Sequence, residues 1–251
     1  MRVPAGDDSG FTATDSPTES ARFGFAVRRY AIGAGDPDPL LDAIRSDGAD
    51  LAIVRLPTSR TDVLNRLREV GDDVLLGDCL VVYRRDNVRL GRPEGPTNES
   101  FVARPAVEAD FDLLDRLTDE IFVGYRNHYQ ANPRLGGFDL SEGYREWTRG
   151  HVGTGELRCL IGSVDGVECS YGTVRIDAEE CEIVLNGTLP EYRSRGVYRD
   201  LLRAMVRLFM DEGAPVSMIS TQVDNVAVQR VWVKEGFRLD DSYFTVHLNL
   251  T

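Results

Sequence analysis

The spacing of apolar residues divides the chain into two blocks in which strand-like and helix-like segments alternate. In the first block, residues 23–32 alternate loosely between apolar and polar, as a strand with one buried face does. Residues 39–45 read as a short helix, and the apolar run at 51–56 has strand length. Val63, Leu64 and Leu67 recur at helical spacing within 60–70. Gly71 closes that helix, and 79–83 is a further strand. The order β, α, β, α, β carries no catalytic constellation.

The second block opens with a strand at 101–104. Asp110 suits the N-cap of a helix over 111–122, with Leu113, Leu114, Leu117 and Ile121 on one face. A polar, aromatic loop follows, and then a short helix over 141–149. Strands at 157–164 and 167–176 flank Asp165-Gly166, a two-residue hairpin signal. A fourth strand over 181–189 runs into a basic loop and a helix over 197–211, closed by Gly213. A strand at 216–221, a helix at 225–235 ended by Gly236, and a strand at 243–250 complete the block. The expected fold class is α/β: a mixed, largely antiparallel sheet flanked by helices.

Between the blocks, Gly91, Pro93, Gly95 and Pro96 punctuate a linker. The expected organisation is a disordered lead-in over 1–20, a small α/β domain over 21–86, a linker over 87–100 and the main domain over 101–251. Gly71 before its strand resembles Gly236 before the last strand. The echo is either chance or the trace of a degenerate half-copy of the same fold.

Composition narrows the function classes. Hydrophobic residues make up 42% of 251, enough for a sizeable core, and no apolar run approaches the roughly 18 residues of a membrane span. Residues 1–20 lack the apolar stretch of a signal peptide, so a cytoplasmic location is expected. Cys79, Cys159, Cys169 and Cys181 form no CxxC pair and read as free thiols; no metal site is expected. At a net charge of −12, with Lys234 the only lysine, the surface repels nucleic acid and anionic membranes. The expected partner is a small molecule, with a homodimer left open.

The informative segment runs from Leu185 to Leu202, where a strand enters a loop holding Arg193, Ser194, Arg195 and Gly196, and then a helix starting at Val197-Tyr198. Unpaired N–H groups at a helix start, with the helix dipole, form an anion site suited to a pyrophosphate. Gly196 permits close backbone approach, and the arginines add positive charge. Downstream, Asn225, Trp232, Gly236 and Phe237 form a second spaced set. These two motifs, in this order and separated by a strand, resemble the GCN5-related N-acyltransferase family over residues 101–251. Its phosphate loop reads Arg or Gln, two residues, Gly, one residue, Gly or Ala. Here Arg193 and Gly196 match, but Tyr198 replaces the last small residue. The family's usual tyrosine, the acid for the leaving thiolate, is Trp232 here.

The resemblance implies acetyl-CoA as cosubstrate and direct attack of an amine on the thioester. It implies a splay between the fourth and fifth strands that takes pantetheine, and an oxyanion donor in the N–H near Thr188 or Leu189. Glu182, six residues before Thr188 and so expected on the same face, matches the family's base; alternatively it is a solvent-facing strand residue beside Glu179 and Glu180. Tyr243 and His247, four apart on the last strand, are candidates for the missing acid or for orienting the acceptor. Arg126, His128, Tyr129, Asn132 and Arg134, in the loop where this fold binds acceptors, combine aromatic and cationic groups suited to a nucleotide or phosphate. That loop and the preceding block resemble the enzymes that acetylate dTDP-linked amino sugars, the dTDP-fucosamine (dTDP-4-amino-4,6-dideoxygalactose) N-acetyltransferases. An acyltransferase for a small amine, amino acid or antibiotic, and a non-catalytic CoA sensor, are the alternatives.

Overall fold

The computed structural model describes residues 10–71, 73–153 and 155–250. The first half of the chain holds β1 (Phe11–Asp15), α1 (Pro17–Phe23), β2 (Val27–Ile32), α2 (Asp38–Ser46), β3 (Leu51–Pro57), α3 (Thr61–Arg66), β4 (Asp73–Asp86) and the short α4 (Asn87–Leu90). The second half holds β5 (Phe101–Pro105), α5 (Phe111–Ile121), α6 (Leu140–Arg149), β6 (Leu157–Val164), β7 (Val167–Arg175), β8 (Glu180–Thr188), α7 (Val197–Asp211), β9 (Val216–Gln222), α8 (Val226–Lys234) and β10 (Arg238–Asn249). No described helix is long and apolar enough to cross a membrane.

All ten strands form one sheet in the order β1-β2-β3-β10-β4-β9-β8-β7-β6-β5. It is antiparallel except where β2 meets β3 and β8 meets β9. This is the mixed, mostly antiparallel α/β class expected. The two blocks, however, are interleaved rather than packed side by side, because β4 lies between β9 and β10, and β10 lies between β3 and β4. Each half hands its last strand to the other.

The exchange follows a two-fold rule. Matching Gly71 with Gly236 matches Asp73 with Arg238 and Arg84 with Asn249. These four residues form the two end pairs of the β4–β10 ladder, Asp73↔Asn249 and Arg84↔Arg238. The cores follow suit. Val246 and Leu248 of β10 pack under α2 and α3 with Leu40, Leu41, Ile44 and Val63. Val81 and Tyr83 of β4 pack with Leu201, Met205 and Trp232 of the second half. Burying one such side chain is worth about 1.5–3 kcal/mol, so removing either strand opens the other half's core.

Residues 11–20, expected to be disordered, instead carry β1 and most of α1; positions 1–9 lie outside the described residues. The strand expected over 23–32 begins at Val27, because Gly24 ends α1 in a left-handed conformation.

The connection between α5 and α6 crosses onto the first half. Leu135 packs with Phe23, Val27 and Ile53. Tyr129 meets Arg29 and Glu19, which are themselves joined by a two-pronged ion pair at 2.6 Å. His247 of β10, fully buried, sits beneath the loop. The Asn132 amide donates to its Nδ1 at 3.2 Å, so the neutral ring carries its proton on Nε2 and donates to His128 Nδ1 at 2.7 Å. The Asn132 carbonyl oxygen accepts from the Arg134 N–H, which fixes the amide's orientation.

Burial, followed by the Arg29 guanidinium, pushes the His247 pKa down to about 4. An unfolded histidine takes its proton near its ordinary value of 6.5, so between those pH values the unfolded chain binds more protons and stability falls as pH falls. The expected loss from this residue is ~3 kcal/mol at about 1.36 kcal/mol per unit. Denaturant unfolding from pH 7 to 4 should show the decline, and His247→Gln should flatten it.

Candidate functional site

β8 and β9 are paired only from Glu180↔Val216 to Ile183↔Ile219. Beyond that point β8 follows β7 and β9 follows β4, so the two strands diverge and leave a wedge. The Leu189 N–H donates to the Cys169 carbonyl at 2.8 Å, which rules Leu189 out as an oxyanion donor. Hydrogen-bonded and non-bonded pairs alternate in an antiparallel ladder. Ser170↔Thr188 and Gly172↔Asn186 are therefore the non-bonded pairs, and the N–H groups of Asn186 and Thr188 face the wedge. The Thr188 hydroxyl oxygen is also buried there without a partner among the described residues.

The loop at the wide end of the wedge is shaped as an anion cradle. Ser194 and Gly196 both have positive φ, +62° and +83°. Such turns direct successive N–H groups into one concavity, and Gly196 is the residue preceding α7, whose fifteen residues aim their dipole at it. Arg193 braces the loop, donating to the carbonyls of Thr188 and Ile121 at 3.4 and 3.2 Å. Arg195 lies over the Tyr192 ring. Asp200, in the first turn of α7, would oppose an anion. It is buried, and the linker covers it by donating from the Thr97 N–H, the Thr97 hydroxyl and the Asn98 N–H at 2.7–3.0 Å. In the first half the corresponding helix α2 starts among Asp36 and Asp38, and β2 and β3 stay paired, so that half lacks both features.

Residues 121–237 match the acetyltransferase (GNAT) family. The matched stretch runs from the end of α5 to the residue before β10. It is similar, at 20% identity over 80% of this chain and 68% of the relative, to the spore coat polysaccharide biosynthesis protein SpsD of Bacillus subtilis. A GCN5-related N-acetyltransferase from Sphaerobacter thermophilus shares its fold (TM-score 0.67, 14% identity, 96% of this chain and 77% of that one). So does a conserved protein of unknown function from Staphylococcus epidermidis (TM-score 0.65, 11% identity, 99% and 96%). The chain is thus a transferase of the N-acetyltransferase class.

On the second motif of this acetyltransferase, Asn225 precedes α8 and its amide donates to the Thr221 hydroxyl at 3.0 Å. Trp232 is buried edge-on against Tyr83, and its indole N–H donates to the Tyr198 hydroxyl at 2.8 Å. Val197 is buried at the start of α7.

Glu182 does not share a face with Thr188. A β-bulge sets Gly172↔Asn186 beside Val174↔Ile183, with one residue between on β7 and two on β8. The extra residue inverts the alternation. Thr188 thereby shares a face with Gly172, which abuts Met205 of α7. Glu182 lies on the opposite face with Gly187, which abuts Ile121 of α5. Its carboxylate is nearly buried and paired with Arg175 at 2.8 Å.

On that face, a cleft of about 240 Å³ is lined by Thr118, Phe122, Tyr125, Asn127, Ser141 and Tyr144 among others. Phe122 stacks on Tyr144, and the Tyr125 hydroxyl donates to the Gln222 side chain. Of the loop residues singled out in the sequence, Arg126 is exposed, whereas His128, Tyr129 and Asn132 hold the loop to the first half. Arg134 lies 4.1 Å over the Phe25 ring and donates to the Asp50 carbonyl. Arg145 pairs with Asp119 and Glu142, and Arg149 with Asp115. His247 is sealed beneath the loop, and the Tyr243 hydroxyl donates to Asp241. Sequence reasoning missed the cleft's Phe122, Tyr125 and Tyr144, whose signal was the aromatic density around the two helices.

Gly196→Asp places a charge in the cradle and forces a side chain into a left-handed backbone, with its Cβ 3.0 Å from the Thr97 hydroxyl. Strain of this kind costs about 1–3 kcal/mol. CoA binding by calorimetry should be lost while the circular dichroism spectrum is kept; undiminished affinity would remove the loop from the site.

Proposed function

We propose that the chain transfers the acetyl group of acetyl-CoA to the amine of a nucleotide-linked amino sugar. The observation that carries the acetyl-CoA half is the β8–β9 wedge ending on the Ser194–Gly196 cradle, with the Asn186 and Thr188 amides facing it. The pyrophosphate sits on the amides of residues 194–198, and pantetheine pairs along Asn186 and Thr188. An N–H of that pair stabilises the tetrahedral oxyanion. The similarity to a spore coat polysaccharide biosynthesis protein supports an amino-sugar acceptor, and the aromatic, hydroxyl-lined cleft beside α5 and α6 suits a sugar ring.

Glu182 acts as the base that takes a proton from the acceptor nitrogen, directly or through one water. Its face supports this, since the bulge directs it toward the side where α5 and α6 form the cleft. A small-amine acceptor is the second reading. The local partners of Arg134, Arg145 and Arg149 favour it, because those guanidinium groups are already engaged.

An acceptor screen scoring free thiol, with dTDP-4-amino-4,6-dideoxygalactose among the amines, separates the two. The amino-sugar reading expects its turnover, inhibition by TDP competitive with it, and a rise of about tenfold in its KM in Arg126→Ala. Turnover of simple amines without TDP competition would replace that reading with the second. Glu182→Gln should lower kcat about 10²-fold with an unchanged acetyl-CoA KM; near-normal turnover would move the base role to water.

A further inference from the structure

The chain departs from its family's motifs at two positions. Tyr198 stands where the phosphate loop has a small residue, and Trp232 stands where α8 has a tyrosine. The structure brings these two departures into contact through the Trp232 indole N–H and the Tyr198 hydroxyl oxygen, 2.8 Å apart. An indole nitrogen only donates, so the tyrosine oxygen accepts this bond and keeps its own proton for another acceptor. Among the described residues nothing accepts that proton.

The place of the phenol is informative. Tyr198 starts α7 at the phosphate cradle, half-buried. Trp232 holds its hydroxyl from the α8 side. On the other side, the Tyr125 hydroxyl bonds Gln222 at the end of β9. The hydroxyl is therefore held between α7, which starts at the cradle, and α8, which follows β9, with an unassigned proton. Burial raises its pKa, so it remains a neutral donor at working pH.

We propose that Tyr198 is the general acid of the reaction and that Trp232 is its positioning residue: the family's tyrosine has moved from α8 to α7, and the indole that replaced it orients the transplanted hydroxyl. The proposal rests on the acetyl-CoA reading above. The amine nitrogen bonds to the acetyl carbon, the carbon–sulfur bond breaks, and its electron pair goes to sulfur. The Tyr198 O–H delivers its proton to that sulfur, and the tyrosinate regains one from water. The proton released from nitrogen leaves through the base.

The test uses CoA, acetyl-CoA and hydroxylamine, a small nucleophile that needs no acceptor pocket. Calorimetry first establishes that wild type binds CoA; failure there overturns the acetyl-CoA reading itself. With CoA bound, ultraviolet absorbance of its thiolate against pH reports any hydrogen bond donated to sulfur. The groups facing the phenol are Trp232, which does not titrate, and Tyr125, whose own pKa burial raises. Bound CoA should ionise at lower pH in wild type than in Tyr198→Phe, with CoA affinity within about twofold and thiol release slowed about 10²-fold. Trp232→Phe, which keeps the phenol but loses its orienting donor, should give an intermediate kcat at unchanged acetyl-CoA KM. Thiolate titration and turnover in Tyr198→Phe equal to wild type would overturn the proposal, as would a wild type that binds acetyl-CoA yet does not accelerate its aminolysis.

Discussion

β4 and β10 lie side by side at the centre of the sheet, and both halves of the molecule depend on that one antiparallel ladder. Each strand closes the other half's sheet and supplies apolar side chains to the other half's core. Neither half can be complete alone, because a strand taken from the middle of a sheet leaves two unpaired edges and an opened core. The arrangement also explains why the linker is long and pinned. Residues 91–98 travel from the end of β4 to the start of β5 across α7, where Asp200, Arg203 and Arg207 hold them.

The ladder also sets the geometry of the wedge. β9 is drawn along β4, while β8 is held by β7, so the parallel pair can stay together for only four residues. What opens is a slot with backbone amides on one wall and a helix start at its end. The first half repeats the strand–helix–strand plan without the slot, and its helix begins among aspartates. Of the two halves, only the second thus joins the slot to a positive-φ turn before its helix.

Charge is used differently on the two sides of the chain's midpoint. The polar residues of the α5–α6 connection hold it against β10 and the first half, and their burial costs are met by matched partners: Glu19 with Arg29, Asn132 with His247, Tyr129 with Glu19. That leaves the cleft beside α5 and α6 lined chiefly by hydroxyls, amides and aromatic faces. Recognition in it would rest on shape and neutral hydrogen bonds rather than on a cluster of arginines.

Local pattern in the sequence was enough for the element order of the second half, the helix N-terminus after Arg193 and the spaced Asn225–Trp232–Gly236–Phe237 set, since helix period, turn glycines and motif spacing act over a few residues. Pairing is another matter. The exchange of β4 and β10 joins residues more than 150 positions apart in the chain, and two strands with the same alternation can be neighbours or strangers. The β8 bulge is equally invisible: one extra residue inverted the face of Glu182 relative to Thr188, although simple alternation put them together. His247 and Arg134 read as site residues because their chemistry is versatile. Only the tertiary structure decided that one is sealed under a loop and the other lies on Phe25, because burial and partner choice depend on what the rest of the chain brings to each side chain.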